Sequence, residues 1–105
     1  MSTPTDDRPD LLTVIAYMRA KPGREQDLQD ALHALIAPTT QEAGYVNYDL
    51  HRGVEDPAVF CFYENWESGA HLDAHLQTPH LRHFVEIMGD LLDGELTINR
   101  LRRVP

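Results

Sequence analysis

Apolar residues recur along this chain with two different spacings, and the changes between them mark the elements. The run LLTVIAYMR from Leu11 to Arg19 is rich in β-branched and aromatic residues and stops at Lys21-Pro22-Gly23, which predicts a strand followed by a turn. Leu28, Ala31, Leu32, Leu35 and Ile36 then fall three and four apart with polar residues between them. That spacing predicts an amphipathic helix, which Pro38 should end or kink. Two extended runs, Tyr45 to Gly53 and Ala58 to Trp66, flank the acidic turn Val54-Glu55-Asp56-Pro57 and predict a hairpin. Ser68 is placed to cap a helix carrying Leu72 and Leu76. Thr78-Pro79 is placed to start another, bearing Leu81, Phe84, Val85, Met88 and Leu91 and closed by Asp93-Gly94. Leu96, Ile98 and the residues to about Arg102 predict a last strand.

The resulting order, βαββαβ, predicts an α+β fold: one four-stranded antiparallel sheet with helices on one face, the ferredoxin-like arrangement, as a single domain over residues 11–105. Helices can cover only one face of such a sheet. Yet the strands are apolar at both parities, Leu12, Val14 and Met18 against Leu11, Ile15 and Tyr17, and Phe60 and Phe62 against Val59, Cys61 and Tyr63. A monomer would leave one row wet, so a twofold homodimer is expected. Residues 1–10, MSTPTDDRPD, hold too few apolar side chains to offset the entropy of ordering them and predict a disordered tail.

Composition narrows the partners. Nine Lys and Arg against 17 Asp and Glu give a net charge of −8, which repels phosphate backbones and anionic lipid. The only basic cluster is Arg100, Arg102 and Arg103. No nucleic-acid or membrane partner is expected, and the longest nearly apolar run, Leu11 to Met18, is too short to span a bilayer. A single cysteine, Cys61, forms no internal disulfide, which fits a reducing cytoplasm.

Candidate chemistry begins with six histidines, four of them at His71, His75, His80 and His83. His71 and His75 share a helix face by spacing, but no ligand motif such as HExxH accompanies them, and no metal is expected. Trp66, the only tryptophan, follows Tyr63, Glu64 and Asn65 at a strand end; it reads either as a core anchor or as part of an apolar pocket with a few polar groups. His51, Glu64 and Tyr48 lie on the hairpin strands and are candidates for that pocket. Strand parity across the turn leaves their convergence open. The absence of GxGxxG, GxxxxGK[ST] and GxSxG removes dinucleotide, P-loop and serine-hydrolase readings.

The segments LTVIAYMRAKPG, residues 12–23, and ENWESGAHLDAHLQTPHLRHF, residues 64–84, resemble the antibiotic biosynthesis monooxygenase domain family, most closely its bacterial quinol monooxygenase branch. The resemblance implies a dimeric α+β barrel, a pocket between sheet and helices in each protomer, and oxygenation of a small aromatic substrate by dioxygen without a cofactor. It implies His75 and His51 as pocket residues, His75 the first choice as catalytic base and His51 the second, with Trp66 at the family's tryptophan position; Glu64 and Tyr48 stay candidates for contact with the substrate from the strand reading. Phe62 and Leu72 stand where the anthrone-oxidising branch has asparagine and tyrosine, which favours a smaller quinol. Ala16 and Tyr17 on the first strand do not match the asparagine of haem-degrading relatives. Two other readings stay open: a cofactor-free isomerase of a small carbonyl compound, and a ligand-binding dimer without turnover.

Overall fold

The computed structural model describes residues 8–105. Its elements are β1 Leu12–Arg19, α1 Glu25–His33, α2 Ile36–Thr39, β2 Tyr45–Arg52, β3 Val59–Trp66, α3 Gly69–Leu76, α4 Pro79–Ile87 and β4 Thr97–Arg102. The strands form one antiparallel sheet in the order β2-β3-β1-β4, the ferredoxin-like arrangement. Of the expected tail, residues 1–7 lie outside the described residues; at its end Arg8 pairs with Glu67 and Leu11 is already buried.

The predicted first helix is divided. α1 ends at His33, and α2 resumes at Ile36 with Pro38 inside its first turn, where a missing amide costs nothing to the helix itself. The amide that the carbonyl of Ala34 would need four residues on is the one proline lacks, so the interruption falls upstream of Pro38 rather than at it. The two later helices start as their sequences predict. Ser68 Oγ accepts from the amide of His71 at 3.3 Å, and Thr78 Oγ1 from that of Leu81 at 3.4 Å. The last helix gives way to a 3-10 turn over Met88–Asp90 before it reaches Leu91.

Register assigns each strand residue to a face. Along β1 and β3, Leu12, Val14, Ala16 and Met18 lie opposite Trp66, Glu64, Phe62 and Phe60, and these side chains meet the helices and are buried. A bulge between Tyr45 and Asn47 shifts β2 so that Tyr48 pairs with Glu64 and Leu50 with Phe62 on this same side. On the other face Thr13 Oγ1 donates to Asn65 Oδ1 (2.6 Å), and Asn65 Nδ2 to Asn47 Oδ1 (2.9 Å), a polar ladder across β1, β3 and β2 centred on the buried Asn65.

Gly44 sets how β2 approaches α3. Its φ of +80° is left-handed, and a Cβ there would collide with the His71 ring. Gly23 has a similar φ, +84°, in open space. Gly23→Ala should therefore cost only the backbone strain, about 1–2 kcal/mol, whereas Gly44→Ala adds overpacking and should cost about 3 kcal/mol or more. Urea unfolding of the two variants compares them; equal losses would contradict the packing of His71 on Gly44.

Candidate functional site

Between the helix-side face of the sheet and the helices lies a cavity of about 130 Å³. Val14, Ala16 and Met18 of β1, Tyr48 of β2, and Phe62 and Glu64 of β3 form its floor, while α3 and α4 roof it with Leu72, His75, Leu81 and Phe84. The small side chain of Ala16 at the middle of β1 is what leaves room above the sheet. Val85 and Ile98, 50% and 39% exposed, also line the cavity, so it reaches solvent between α4 and β4.

His75 is 2% exposed. Its ring lies 4.6 Å from Trp66 and meets Tyr48 edge-on at 5.2 Å, while Tyr48 stacks on Phe62 at 4.1 Å. The Nδ1 atom is 2.8 Å from Glu42 Oε2, and the same oxygen is 2.8 Å from His80 Nε2. Burial lowers the pKa of His75 against the upward pull of its Glu42 hydrogen bond, which favours the neutral imidazole. Glu64 accepts a 2.9 Å bond from Trp66 Nε1. Burial pushes its carboxyl up to about 7; the Trp66 donor opposes this and the negative charge of Glu42 adds to it. Burial likewise raises Tyr48, helped by Glu64 and Glu42, and keeps it a phenol that can donate a hydrogen bond. The cavity is thus apolar with three polar groups, one a proton acceptor and one a carboxyl that exists in both forms near neutral pH.

The structure brings together five of the residues singled out from sequence: His75, Glu64, Tyr48, Phe62 and Leu72 all line this cavity. Two are placed elsewhere. Trp66 is fully buried behind Glu64 and His75, so it supports the acid and the imidazole rather than forming the wall. His51 pairs with Cys61 and lies on the opposite face of the sheet, exposed, with Nδ1 3.1 Å from the carbonyl of Asp49. The β2 bulge decides this, because it puts Tyr48, and therefore not His51, on the face of Glu64.

Glu42 was missed. It sits in the loop after α2 with no motif around it, 33 and 38 residues from the histidines it joins, and only the fold reveals it. The His71 and His75 pair does not converge, because His71 Nδ1 lies 2.9 Å from Ser68 Oγ. Instead Glu42, His75 and His80 are the group whose donor atoms, within 4.8 Å of one another, could hold a metal ion. An ion held tetrahedrally at zinc distances keeps its donors about 3.4 Å apart, and Glu42 Oε2 is closer than that to both nitrogens, at hydrogen-bond separation.

A family model for antibiotic biosynthesis monooxygenase matches residues 11–87. The chain belongs to this family. Among relatives, the Escherichia coli K12 protein named "Probable quinol monooxygenase YgiN" is 36% identical over 99 residues, covering 84% of this chain and 95% of that one. The antibiotic biosynthesis monooxygenase fold is shared with PA3566 from Pseudomonas aeruginosa at 36% identity and a TM-score of 0.87, over 91% of this chain and 96% of that one. Rv0793 from Mycobacterium tuberculosis gives 27% identity and a TM-score of 0.85, over 90% and 96%. No helix among the described residues is long and apolar enough to cross a membrane.

For this family member, the buried carboxyl has a measurable consequence. Because the pKa of Glu64 is raised on folding, its contribution to stability is fully present below the unfolded value of 4.5 and is lost as pH rises through about 7. Glu64→Gln keeps an acceptor for Trp66 Nε1 and removes the charge. Its stability relative to wild type should rise between pH 4.5 and 7, by a total on the order of 3 kcal/mol. Urea unfolding at pH 5 and pH 8 measures this, and a pH-independent difference would contradict a buried, ionisable Glu64.

Proposed function

We propose that this protein is a cofactor-independent monooxygenase that oxidises a small hydroquinol with dioxygen. The observation that carries the reading is His75: a buried imidazole, biased to its neutral form, facing an apolar, mostly aliphatic cavity that also carries the rings of Tyr48, Phe62 and Phe84, in a chain of the antibiotic biosynthesis monooxygenase family. At about 130 Å³ the cavity approaches the about 150 Å³ that holds one benzene ring, and the opening at Val85 and Ile98 leaves space for the rest of the substrate.

The chemistry asks for a base, hydrogen bonds to the resulting oxyanion and a dry cavity. His75 takes a hydroxyl proton from the hydroquinol. The hydroquinolate passes one electron to dioxygen, giving a semiquinone and superoxide, which combine to form a ring C–O bond. The peroxide receives the proton held on His75, the O–O bond breaks, and the peroxide-bearing carbon loses its hydrogen. The balance is one hydroquinol and one dioxygen giving one hydroxyquinone and one water, the substrate supplying every electron. Tyr48 and the protonated form of Glu64 are the donors available to the oxyanion. The same acid and base support the rival reading, isomerisation of a small carbonyl compound.

With a reduced benzoquinol or naphthoquinol, the protein should speed oxygen uptake above the autoxidation rate, and His75→Ala should lower turnover by about a hundredfold to ten-thousandfold while remaining folded. Uptake no faster than autoxidation contradicts the proposal, and isomer formation without oxygen uptake moves the function to the rival.

A homodimer belongs to the same proposal. Tyr17 and Leu101, 43% and 47% exposed, stand with Ile15, Cys61 and Tyr63 on the face the helices leave open, and a second copy would cover them. Light scattering at micromolar concentration should give twice 12.0 kDa; a folded monomer there would contradict it.

A further inference from the structure

Three segments distant in sequence meet at one oxygen atom. Glu42 Oε2 lies 2.8 Å from His75 Nδ1 of α3 and 2.8 Å from His80 Nε2 of α4. Around His80 Nε2, Thr78 Oγ1 is at 3.2 Å and Thr39 Oγ1 at 3.4 Å. Thr78 donates its own proton to the carbonyl of His75 at 2.7 Å and accepts from the Leu81 amide, which leaves one lone pair for His80. The Glu42 loop is itself held by the Glu42 amide on the carbonyl of Thr39.

A carboxylate oxygen accepts hydrogen bonds and has no proton to give. Each ring nitrogen facing Glu42 therefore carries a proton. For His75 this means Nδ1–H toward Glu42 and a bare Nε2, and His75 lines the cavity. For His80 it means Nε2–H, so His80 braces the carboxylate from the side away from the cavity. The other groups against the His75 ring, Tyr48 and Trp66, make ring contacts only, and Trp66 spends its N–H on Glu64. Nothing else among these neighbours sets the tautomer.

We propose that Glu42 is the positioning residue of this site: it locks His75 in the Nδ1–H tautomer with Nε2 available to the cavity, and His80 holds Glu42 in place. The usefulness of this lock rests on the reading of His75 as the base, but the lock itself does not. When Nε2 takes a proton, the imidazolium that forms lies against the Glu42 carboxylate, which offsets the cost of charge in a buried site. Without Glu42 the ring can present Nε2–H to the cavity, and a nitrogen that carries a proton cannot accept one.

Long-range 15N–1H correlation spectra of the histidine rings test this directly, with His75 assigned from the spectrum of His75→Gln and the protein first treated with a chelator. In the wild type at pH 7.5, His75 should be neutral with Nδ1 protonated and Nε2 bare. In Glu42→Leu that pattern should be lost, and turnover of a reduced naphthoquinol should fall about a hundredfold, the contribution of a positioned base. Glu42→Gln, which keeps an acceptor without the charge, should retain the Nδ1–H tautomer more than Glu42→Leu does. A wild-type ring protonated at Nε2 overturns the proposal even if no variant folds, and so does an unchanged tautomer in Glu42→Leu. If the tautomer follows Glu42 while no quinol is oxidised, the positioning role stands and the monooxygenase reading falls.

Discussion

Side chains alternate across a strand with a period of two, and the helices of this protein cover one face of a single sheet. Every residue of β1, β2 and β3 is therefore committed either to the cavity side or to the open side, and neighbours in sequence have opposite fates. Glu64 and Phe62 enter the cavity while Asn65, Tyr63 and Cys61 face away from it. The bulge between Tyr45 and Asn47 brings β2 into phase with this division, so that Tyr48 joins Glu64 and His51 is turned out. A shift of one residue in that pairing would exchange the phenol for the exposed face and dismantle the site.

Within the cavity, burial acts on an acid and a base in opposite directions on the pKa scale but to the same end. It raises Glu64 and lowers His75, in each case by disfavouring the charged form. Each group is then given one specific partner that limits the shift: Trp66 Nε1 donates to Glu64, and Glu42 accepts from His75. The result is a carboxyl and an imidazole both biased toward their neutral forms around one apolar cavity.

Much of the fold was legible from local pattern. The capping residues Ser68 and Thr78, the turn glycines and the change of hydrophobic spacing located the elements, and only the α1 break and the early end of the last helix differed. The site was legible in part. His75, Glu64, Tyr48, Phe62 and Leu72 drew notice through their residue types or their place in the family pattern, and the fold brings all five to one cavity. Trp66 read either as a core anchor or as pocket wall, because sequence does not distinguish a wall from what stands behind it, and the fold places it behind Glu64 and His75. Strand parity left the face of His51 open, and only the family resemblance put it at the pocket, because the β2 bulge that fixes its face leaves no mark in the residues. Glu42 left no signal at all: its partners are set by the packing of three segments, and a lone glutamate in a loop reads as solvated.

In the proposed reaction, substrate binds on the helix side of the sheet, against His75, rather than on the open face where His51 lies. A crystal structure with a bound naphthoquinone tests it most directly. The account predicts the ring between Phe62 and Leu72 with one oxygen within hydrogen-bond reach, about 2.6–3.2 Å, of His75 Nε2 or Tyr48 Oη. A quinone seated on the open face beside His51, with the cavity at His75 empty, would contradict it.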